Sequence, residues 1–164
     1  IITFEDVFSR FSFAWATKSH ASKAAKEFFN YCQLVFPLPF TFALTDNGSE
    51  FKKHFSQELE KLNIIHYHTY PKTPKMNPHC ERFNRTIQEE FVDYHAYELI
   101  NPKSFNQKLM QWLLWYNTER PHFAFQNKYS PVQYLMFLEE GKKIQKSNMW
   151  WTHTKISNFF YYLL

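Results

Sequence analysis

The stretch from residue 40 to residue 99 most constrains the fold of this chain, because strand-like and helix-like patterns alternate along it. The apolar run Phe40 to Thr45 predicts a short buried strand, and Phe51 to Leu62 has the spacing of a modest helix. Ile64 to His68 predicts another strand, and a long helical pattern then runs from residue 79 to residue 99. This order is typical of a parallel layer of strands covered by helices, so the sequence predicts an α/β fold.

The residues before this stretch predict a hairpin and one more helix. Ile1 to Phe4 and Phe11 to Ala16 are aromatic and β-branched runs with a polar connection, which favours an antiparallel hairpin. Apolar residues then recur at helical spacing from Ala21 to Val35, and we expect Ser19 or Ser22 to be the N-cap.

The residues after it predict two helices and a tail. Phe105 to Tyr116 is apolar on nearly all sides, so this helix should be buried or covered by a partner. Ser130 and Pro131 predict the start of a short helix, with serine as the cap and proline at the first helical position. We therefore expect one domain in residues 1–138 and leave residues 139–164 as an unassigned C-terminal tail.

Charge, cysteine content and the length of apolar runs indicate which kinds of partner and which compartment suit this chain. The 164 residues carry a net charge of +4 with a pI near 9.0, which mildly favours a polyanionic partner. Cys32 and Cys80 lack metal-binding spacing and predict reduced thiols in a cytosolic protein. No apolar run approaches the ~18 residues of a membrane span. Gly48 is one of only two glycines, and we expect it to adopt a positive φ angle.

Two acidic residues lie at the ends of predicted elements. Asp46 follows the buried strand at the start of an Asn-Gly turn, and Glu81 lies in the first turn of the long helix. Carboxylates are ligands that magnesium prefers, and bound magnesium ions can drive displacement at phosphorus. The pair therefore predicts a magnesium site for phosphate chemistry. The alternatives are an ordinary Asp-Asn-Gly turn and a glutamate that only pairs with the helix dipole.

Helix geometry groups other side chains with Glu81. Arg85 and Gln88 fall within about 40° of it, and a cation one turn from a metal ligand suits a nucleic-acid backbone. The opposite side is expected to bury four apolar side chains, those of Phe83, Ile87, Phe91 and Tyr94. Val92 falls on the polar side. The alternative for Arg82 and Arg85 is a solvated helix surface.

Three histidines are further candidates for contact with a substrate or a metal. His66 and His68 alternate onto one side of a predicted strand, close to a proline-rich loop at residues 70–78, and His79 lies near Glu81. The spacing of the eight histidines includes no HxxxH pair, so a zinc site of that type is not predicted.

Taken together, these motifs resemble the catalytic core shared by insertion-sequence transposases and retroviral integrases. The segments that carry the resemblance are Thr45–Phe51, Thr73–Asn77, Glu81–Thr86, Tyr116–His122, Ser130–Pro131 and Asp6–Arg10. The 34 residues between Asp46 and Glu81 fit the spacing of that family. The resemblance runs from residue 1 to about residue 138 and is specific only as a combination.

The resemblance implies a ribonuclease H-like fold, two divalent ions (Mg²⁺ or Mn²⁺), cleavage at the ends of an element, and transfer of its 3′-hydroxyl into target DNA. By position, Asp46 and Glu81 would be the second and third catalytic, metal-binding acids. We assign DNA contacts to Arg82, Arg85, Gln88, Lys72 and Lys75. Asn47 and His79 would be accessory residues. The partners implied are DNA and further copies of the chain, without a membrane.

The sequence departs from the family at its first acid. In the family that aspartate lies on a strand before the hairpin, and this sequence lacks the strand. Asp6 is the only early substitute, and we interpret it as a turn residue between two strands. The sequence thus predicts a mixed sheet flanked by helices with its first strand missing. It also predicts a DDE-type polynucleotidyl transferase in the parent protein and inactivity of these 164 residues alone.

Two alternatives to that function stay open. One is a catalytically inactive transposase remnant that only binds DNA or a partner subunit. The other is a related nuclease without transfer activity. The expected location is the bacterial cytoplasm, in association with the nucleoid.

Overall fold

The computed structural model describes residues 1–69, 78–140 and 147–153. The strands are β1 (Ile2–Asp6), β2 (Ser12–Trp15), β3 (Phe40–Thr45), β4 (Ile65–His68) and β5 (Ser147–His153). The α-helices are α1 (Ser22–Val35), α2 (His54–Lys61), α3 (Pro78–Ile87), α4 (Asp93–His95), α5 (Pro102–Thr118) and α6 (Pro131–Glu140). Shorter helical turns cover Ser49–Phe51, Gln88–Val92, Ala96–Ile100 and Phe123–Phe125.

The strands form one mixed sheet in the order β2-β1-β5-β3-β4. β1 is antiparallel to β2 and to β5, whereas β3 is parallel to β4 and to β5. The predicted hairpin and the predicted parallel pair are therefore both present, and the α/β prediction is confirmed. Antiparallel pairing needs only a short turn, while the parallel pair needs the α2 crossover between its strands.

The centre of the sheet is formed by the backbone of β5. This strand pairs Thr152 with Thr3 on one side and Trp150 with Leu44 on the other. Sequence patterns could not place residues 139–164, yet part of that tail supplies the strand that joins the two halves of the sheet. The domain boundary after residue 138 stays a prediction.

Helix α1 packs an aromatic face against the sheet, but its start differs from the prediction. Phe28 and Phe29 are buried, and Phe28 stacks on Phe13 of β2 with 5.5 Å between ring centroids. The N-cap is Ala21, without a side-chain capping bond, so the prediction of a serine cap is wrong. The Ser19 hydroxyl instead accepts a hydrogen bond from the Ala21 N–H in the preceding turn, at 3.1 Å.

Helix α5 binds the edge strand β2 through two buried asparagines. The Asn117 side chain accepts a hydrogen bond from Ser12 N at 2.9 Å and donates one to Ser12 O at 2.8 Å. The Asn106 side chain makes the same pair of hydrogen bonds with the backbone of Ala16. These amides satisfy backbone groups that an edge strand leaves without a ladder partner. The helix is therefore packed on one side only, and Leu114 is 64% exposed on the other.

The long helical pattern that contains Glu81 consists of consecutive helical segments of different types. α3 passes through a π-helical turn at Gln88–Val92 into α4, and a 3₁₀ turn then reaches Ile100. Because a π turn holds more residues than an α turn, it rotates the following side chains. Val92 is consequently buried and Tyr94 is 71% exposed, so both of those predicted placements are wrong. The three other predicted apolar positions, Phe83, Ile87 and Phe91, are buried.

The predicted start of the last helix is confirmed. Ser130 Oγ accepts a hydrogen bond from Gln133 N, while Gln133 Oε1 accepts one from Ser130 N, which is a reciprocal capping box. Cys32 and Cys80 are buried free thiols, as expected. None of the helices in the described ranges is both long and apolar enough to cross a membrane.

Candidate functional site

Asp46 follows β3 directly, at the carboxyl end of a strand in the parallel half of the sheet. Its Oδ1 atom accepts a hydrogen bond from Gly48 N at 3.0 Å, which closes the turn. Burial raises the pKa of Asp46; the Gly48 bond lowers it, the Glu50 carboxylate raises it, and His68 lowers it. Carboxyl ends of parallel strands are where open α/β sheets bind ligands, so the position suits an active acid.

Gly48 is required for space and not for its φ angle. Its φ is −55°, so the prediction of a positive φ is wrong. A Cβ atom at this position would lie 2.6 Å from Glu50 Oε2 and 2.9 Å from Asp46 Oδ1. The glycine therefore lets two carboxylates approach the same point. We call Asp46, Gly48 and Glu50 the acidic turn. Sequence reasoning missed Glu50, although an acid two residues after the glycine was a usable signal.

The two strand histidines lie beside the acidic turn. Thr45 Oγ1 is 2.9 Å from His66 Nε2 and 3.2 Å from His68 Nδ1, so both rings lie on the same side of β4, as predicted. Ser56 Oγ lies 3.2 Å from His66 Nδ1. Burial and the neighbouring His68 lower the pKa of His66 to about 4, so this ring is neutral near pH 7. Contact of either ring with a substrate or metal stays a prediction.

Asn47 stabilises the turn from outside. Its exposed side chain donates a hydrogen bond from Nδ2 to Thr69 O at 2.7 Å, which ties the residue after Asp46 to the end of β4. This contact gives Asn47 a positioning role, since it fixes the backbone that carries the Asp46 carboxylate.

Glu81 lies in the first turn of α3 and is exposed, as is Arg85 one turn later. Gln88 donates a hydrogen bond to the Asp93 carboxylate. The helix is fixed to the sheet by Thr3 Oγ1, which donates to Asn84 Oδ1 at 2.7 Å. Glu81 and Arg85 are therefore presented to solvent on a helix that the sheet holds in place.

His79 and Arg82 belong to a different part of α3. They line a pocket of about 360 Å³ that also contains Arg10, Arg120 and His122, and we call it the arginine pocket. Burial, followed by the charges of Arg10 and Arg82, lowers the pKa of His79. The structure thus separates these two residues from Glu81, which does not line the pocket.

The predicted metal ligands do not form a complete centre within the described ranges. In residues 1–69, 78–140 and 147–153, no three histidine, cysteine, aspartate or glutamate side chains converge to hold a metal ion. Lys72 and Lys75 lie outside the described residues. Asp6 is engaged in its turn, because Asp6 Oδ2 accepts from Ser9 N at 2.7 Å and from Ser9 Oγ at 2.6 Å. The interpretation of Asp6 as a turn residue is wrong in its placement, because Asp6 is the last residue of β1 and pairs with Met149 of β5, while its carboxylate accepts hydrogen bonds from the turn that follows.

Comparisons with known proteins identify the domain. A family model described as an integrase core domain matches residues 62–129, which include Glu81 and the 116–122 motif. Residues 62–129 therefore match an integrase core domain. A protein named as an integrase, the ORF3 product of Spiroplasma virus SpV1-C74, is 32% identical over 126 residues. That alignment covers 69% of this chain and 33% of the viral protein, so the chain spans about a third of that relative's length.

Solved structures agree on the fold. A chain of the simian T-cell lymphotropic virus intasome, determined in complex with PP2A regulatory subunit B56 gamma, matches with a TM-score of 0.63 and 21% identity. The match covers 73% of this chain and 42% of that one. The catalytic core domain of BIV integrase matches with a TM-score of 0.59 and 18% identity, over 84% of this chain and 85% of that one. The integrase core described above therefore has the fold of retroviral catalytic cores.

Proposed function

We propose that this integrase core performs metal-dependent cleavage of the ends of a DNA element and transfers them into target DNA. The observation that carries the proposal is the position of Asp46 within a recognised integrase core. Asp46 is half-buried at the carboxyl end of a parallel strand. Its carboxylate and that of Glu50 both approach the point where a side chain at position 48 would begin. In this proposal the sheet is the ribonuclease H-like sheet of that family.

The donor set fits a divalent cation. Two carboxylates that approach one point repel each other in the absence of a cation, and Glu50 accordingly raises the pKa of Asp46. Asp46 and Glu81 would hold Mg²⁺ or Mn²⁺, with Glu50 beside Asp46. Bound ions would activate an attacking water or hydroxyl and stabilise the leaving oxygen. A complete site for two ions needs a further acid, and neither Asp6 nor the β5 sequence supplies one.

The chain's own residues would orient the DNA around this centre. Arg85 is exposed one helical turn after Glu81, where a guanidinium can contact a phosphate oxygen, and Gln88 follows on the same side. Arg82 would contact DNA from the arginine pocket. We include Lys72 and Lys75 in this DNA surface on the basis of sequence. The acting species would be a homo-oligomer in the bacterial cytoplasm, associated with the nucleoid.

The engagement of Asp6 favours a second candidate function. If no other residue of the protein supplies the further acid, the protein would be a transposase remnant that binds DNA or a partner subunit without cleaving. In that case binding would persist while no metal-dependent product formed.

A strand-transfer assay in Mn²⁺ tests the proposal on a protein that includes the upstream sequence. We expect Asp46→Asn and Glu81→Gln each to lower product formation roughly a hundredfold or more, because each removes a metal ligand worth several kcal/mol. Glu60→Gln, an exposed carboxylate change on α2, is the matched control and should leave the rate unchanged. Full activity in either ligand variant would overturn the assignment. Cleavage without joined product would indicate a nuclease.

A further inference from the structure

We propose that the arginine pocket is a phosphate-binding site, separate from the acidic turn, that takes one phosphate group on Arg10, Arg82 and His122. The pocket is formed by the β1–β2 turn, α3, the end of α5 and the segment that follows it. Its volume of about 360 Å³ accommodates a phosphate with neighbouring atoms of a nucleotide. The binding of free phosphate does not depend on the proposed function, and only its nucleic-acid arm rests on that function.

The first line of support is unsatisfied hydrogen-bonding capacity. Arg10 Nη1, Glu5 Oε2 and His122 Nε2 are all buried, and none has a hydrogen-bond partner within the described ranges. Buried polar atoms are nearly always paired with protein groups, water or a ligand, so three around one cavity indicate an occupant that bonds to them. These atoms belong to two different parts of the chain, at residues 5–10 and at residue 122.

The second line of support is the charge of the pocket wall. Three arginines line it, and within the described part of the chain only Arg120 is hydrogen-bonded to a carboxylate, that of Glu90, at 2.5 and 3.1 Å. Arg10 Nη1 lies 3.8 Å from Glu5 Oε1, which is too long for a hydrogen bond. Among the described residues no ion pair is found for Arg82. The pocket therefore keeps guanidinium groups that can bond to an anion.

Glu5 does not oppose an anion near neutral pH. The pKa of Glu5 is raised to about 8, mainly by burial and also by the Asp6 charge, while the charges of Arg10 and Arg82 act in the opposite direction. A protonated carboxyl group is a hydrogen-bond donor, so Glu5 can contact a phosphate oxygen without repelling it. Glu90, which does not line the pocket, is paired with Arg120.

His122 provides a ring nitrogen that can respond to the anion. Burial, followed by the charge of Arg120, lowers the pKa of His122 to about 4. A hydrogen bond between the His122 ring and the Tyr116 backbone raises the pKa of His122. Within the described residues, the Nε2 atom of the ring has no hydrogen-bond partner. A phosphate in the pocket would favour the protonated imidazole, so binding should raise the pKa of His122.

Arg10 is placed by the backbone of its turn. Its φ angle is 60°, in the left-handed region, and its N–H donates to Asp6 O at 2.8 Å. The Asp6 carboxylate in turn binds Ser9, so a buried network fixes the residue that carries the guanidinium. A non-glycine residue in this conformation is uncommon, and here it is held where its side chain meets Glu5 and the pocket.

The test is titration of the whole chain with inorganic phosphate at constant ionic strength, followed by the NMR signals of the His122 ring. We expect saturable shifts and a raised pKa for His122. Arg82→Gln should weaken the phosphate affinity roughly tenfold, since it removes a charge-assisted contact. Lys23→Gln, which neutralises an exposed cation on α1 outside the pocket, is the matched control and should leave the phosphate affinity unchanged. Absence of saturable shifts, or equal affinities of wild type and Arg82→Gln, would overturn the proposal.

A second pair of measurements identifies the source of the phosphate. Duplex DNA binding is measured for wild type, Arg82→Gln and Lys23→Gln, which removes an exposed charge on α1. A selective loss in Arg82→Gln, together with competition by free phosphate, would show that a nucleic-acid backbone occupies the pocket. Phosphate binding with equal DNA affinities in the two variants would support a free phosphate as the occupant. Arg10→Gln should also weaken phosphate binding, and if this variant fails to fold, the His122 signals of the wild type still decide the proposal. If the wild type binds phosphate but performs no strand transfer, that result would count against the proposed function and not against the phosphate site.

Discussion

The acidic turn and the arginine pocket both gather like charges, yet they do so in different surroundings. The acidic turn follows β3 next to the exposed edge strand β4, and Asp46 is only half-buried. The arginine pocket is anchored by buried groups, with Glu5 only 5% exposed. Solvent or a metal ion can compensate charge at the sheet edge, whereas the pocket depends on protonation or on a bound anion. Four substitutions test this difference.

The largest expected effect concerns the structure beneath the pocket. Asn117→Ala would leave Ser12 N and Ser12 O without their side-chain partners, in a buried position at the end of α5. Each unsatisfied buried group costs about 1–3 kcal/mol, so we expect a loss of about 2–4 kcal/mol in the free energy of unfolding. Asn47→Ala is the matched control, because its bond to Thr69 O is exposed. Urea denaturation should show a loss below about 1 kcal/mol for the control. Equal losses would show that the two regions do not differ in burial.

The buried carboxyl of Glu5 gives the next effect. Because its folded-state pKa of about 8 exceeds the ordinary 4.5, the folded protein keeps a proton that the unfolded chain releases between these values. The stability contributed by Glu5 therefore falls as pH rises from about 4.5 to about 8. Glu5→Gln removes this loss, and we expect it to be more stable than wild type by about 2–4 kcal/mol at pH 8.

Urea denaturation of wild type and Glu5→Gln at pH 5 and pH 8 measures the effect. Comparing the two proteins at each pH cancels the contributions of other titrating groups, including His66 and His122. A difference that does not grow with pH would show that Glu5 is ionised in the folded protein.

Gly48→Ala tests the acidic turn with a smaller change in stability. The φ and ψ angles of Gly48, −55° and 142°, are open to alanine, which favours the variant by about 0.4–1 kcal/mol through the unfolded state. The new Cβ would nevertheless displace the Glu50 carboxylate, 2.6 Å away. We expect a net change within about 1 kcal/mol, with reduced Mn²⁺-dependent activity. In a Glu50→Ala background the same substitution should be stabilising. A large loss of stability in both backgrounds would show that the backbone, and not space, requires glycine.

Asp46→Asn should give the smallest change in stability. Burial and Glu50 raise the pKa of Asp46, so its contribution to stability also falls as pH rises above the ordinary value of 3.8. The dependence should be shallower than that of Glu5, because Asp46 is half-exposed and solvent screens its charge. Thermal denaturation between pH 3 and pH 7, with Glu60→Gln as control, measures it. A steeper dependence for Asp46 than for Glu5 would reverse the comparison.

Patterns in the sequence predicted the local elements well where one physical cause dominates. The parallel pair β3–β4 follows from two apolar runs separated by a helix, and the cap at Ser130 follows from its hydroxyl and the proline after it. Predictions were wrong where tertiary packing intervenes. The π turn rotates Tyr94 into solvent, and Ala21 takes the N-cap position that two serines were expected to fill.

The candidate site also has residues that the sequence predicted and residues that only the structure brought to it. Asp46 and Glu81 were predicted from the residue types at a strand end and a helix start, which the sequence shows directly. Glu50 was visible as an acid two residues after the glycine, but its approach to Asp46 depends on the path of the turn around Gly48, which the structure shows. The separation of Arg82 from Glu81 also required the structure, since adjacent helical residues differ by about 100° in direction.

Local patterns in the sequence were enough to predict an α/β core of integrase type, with an acid after β3 and another at the start of α3. Strand and helix periodicity and short motifs are local properties, so they can be recognised in the amino-acid sequence alone. The three-dimensional fold was needed to show that residues 147–153 complete the sheet and that Arg10, Arg82 and His122 share one pocket. These arrangements join residues distant in sequence, and they arise because backbone groups and buried charges must find partners wherever the fold brings them together.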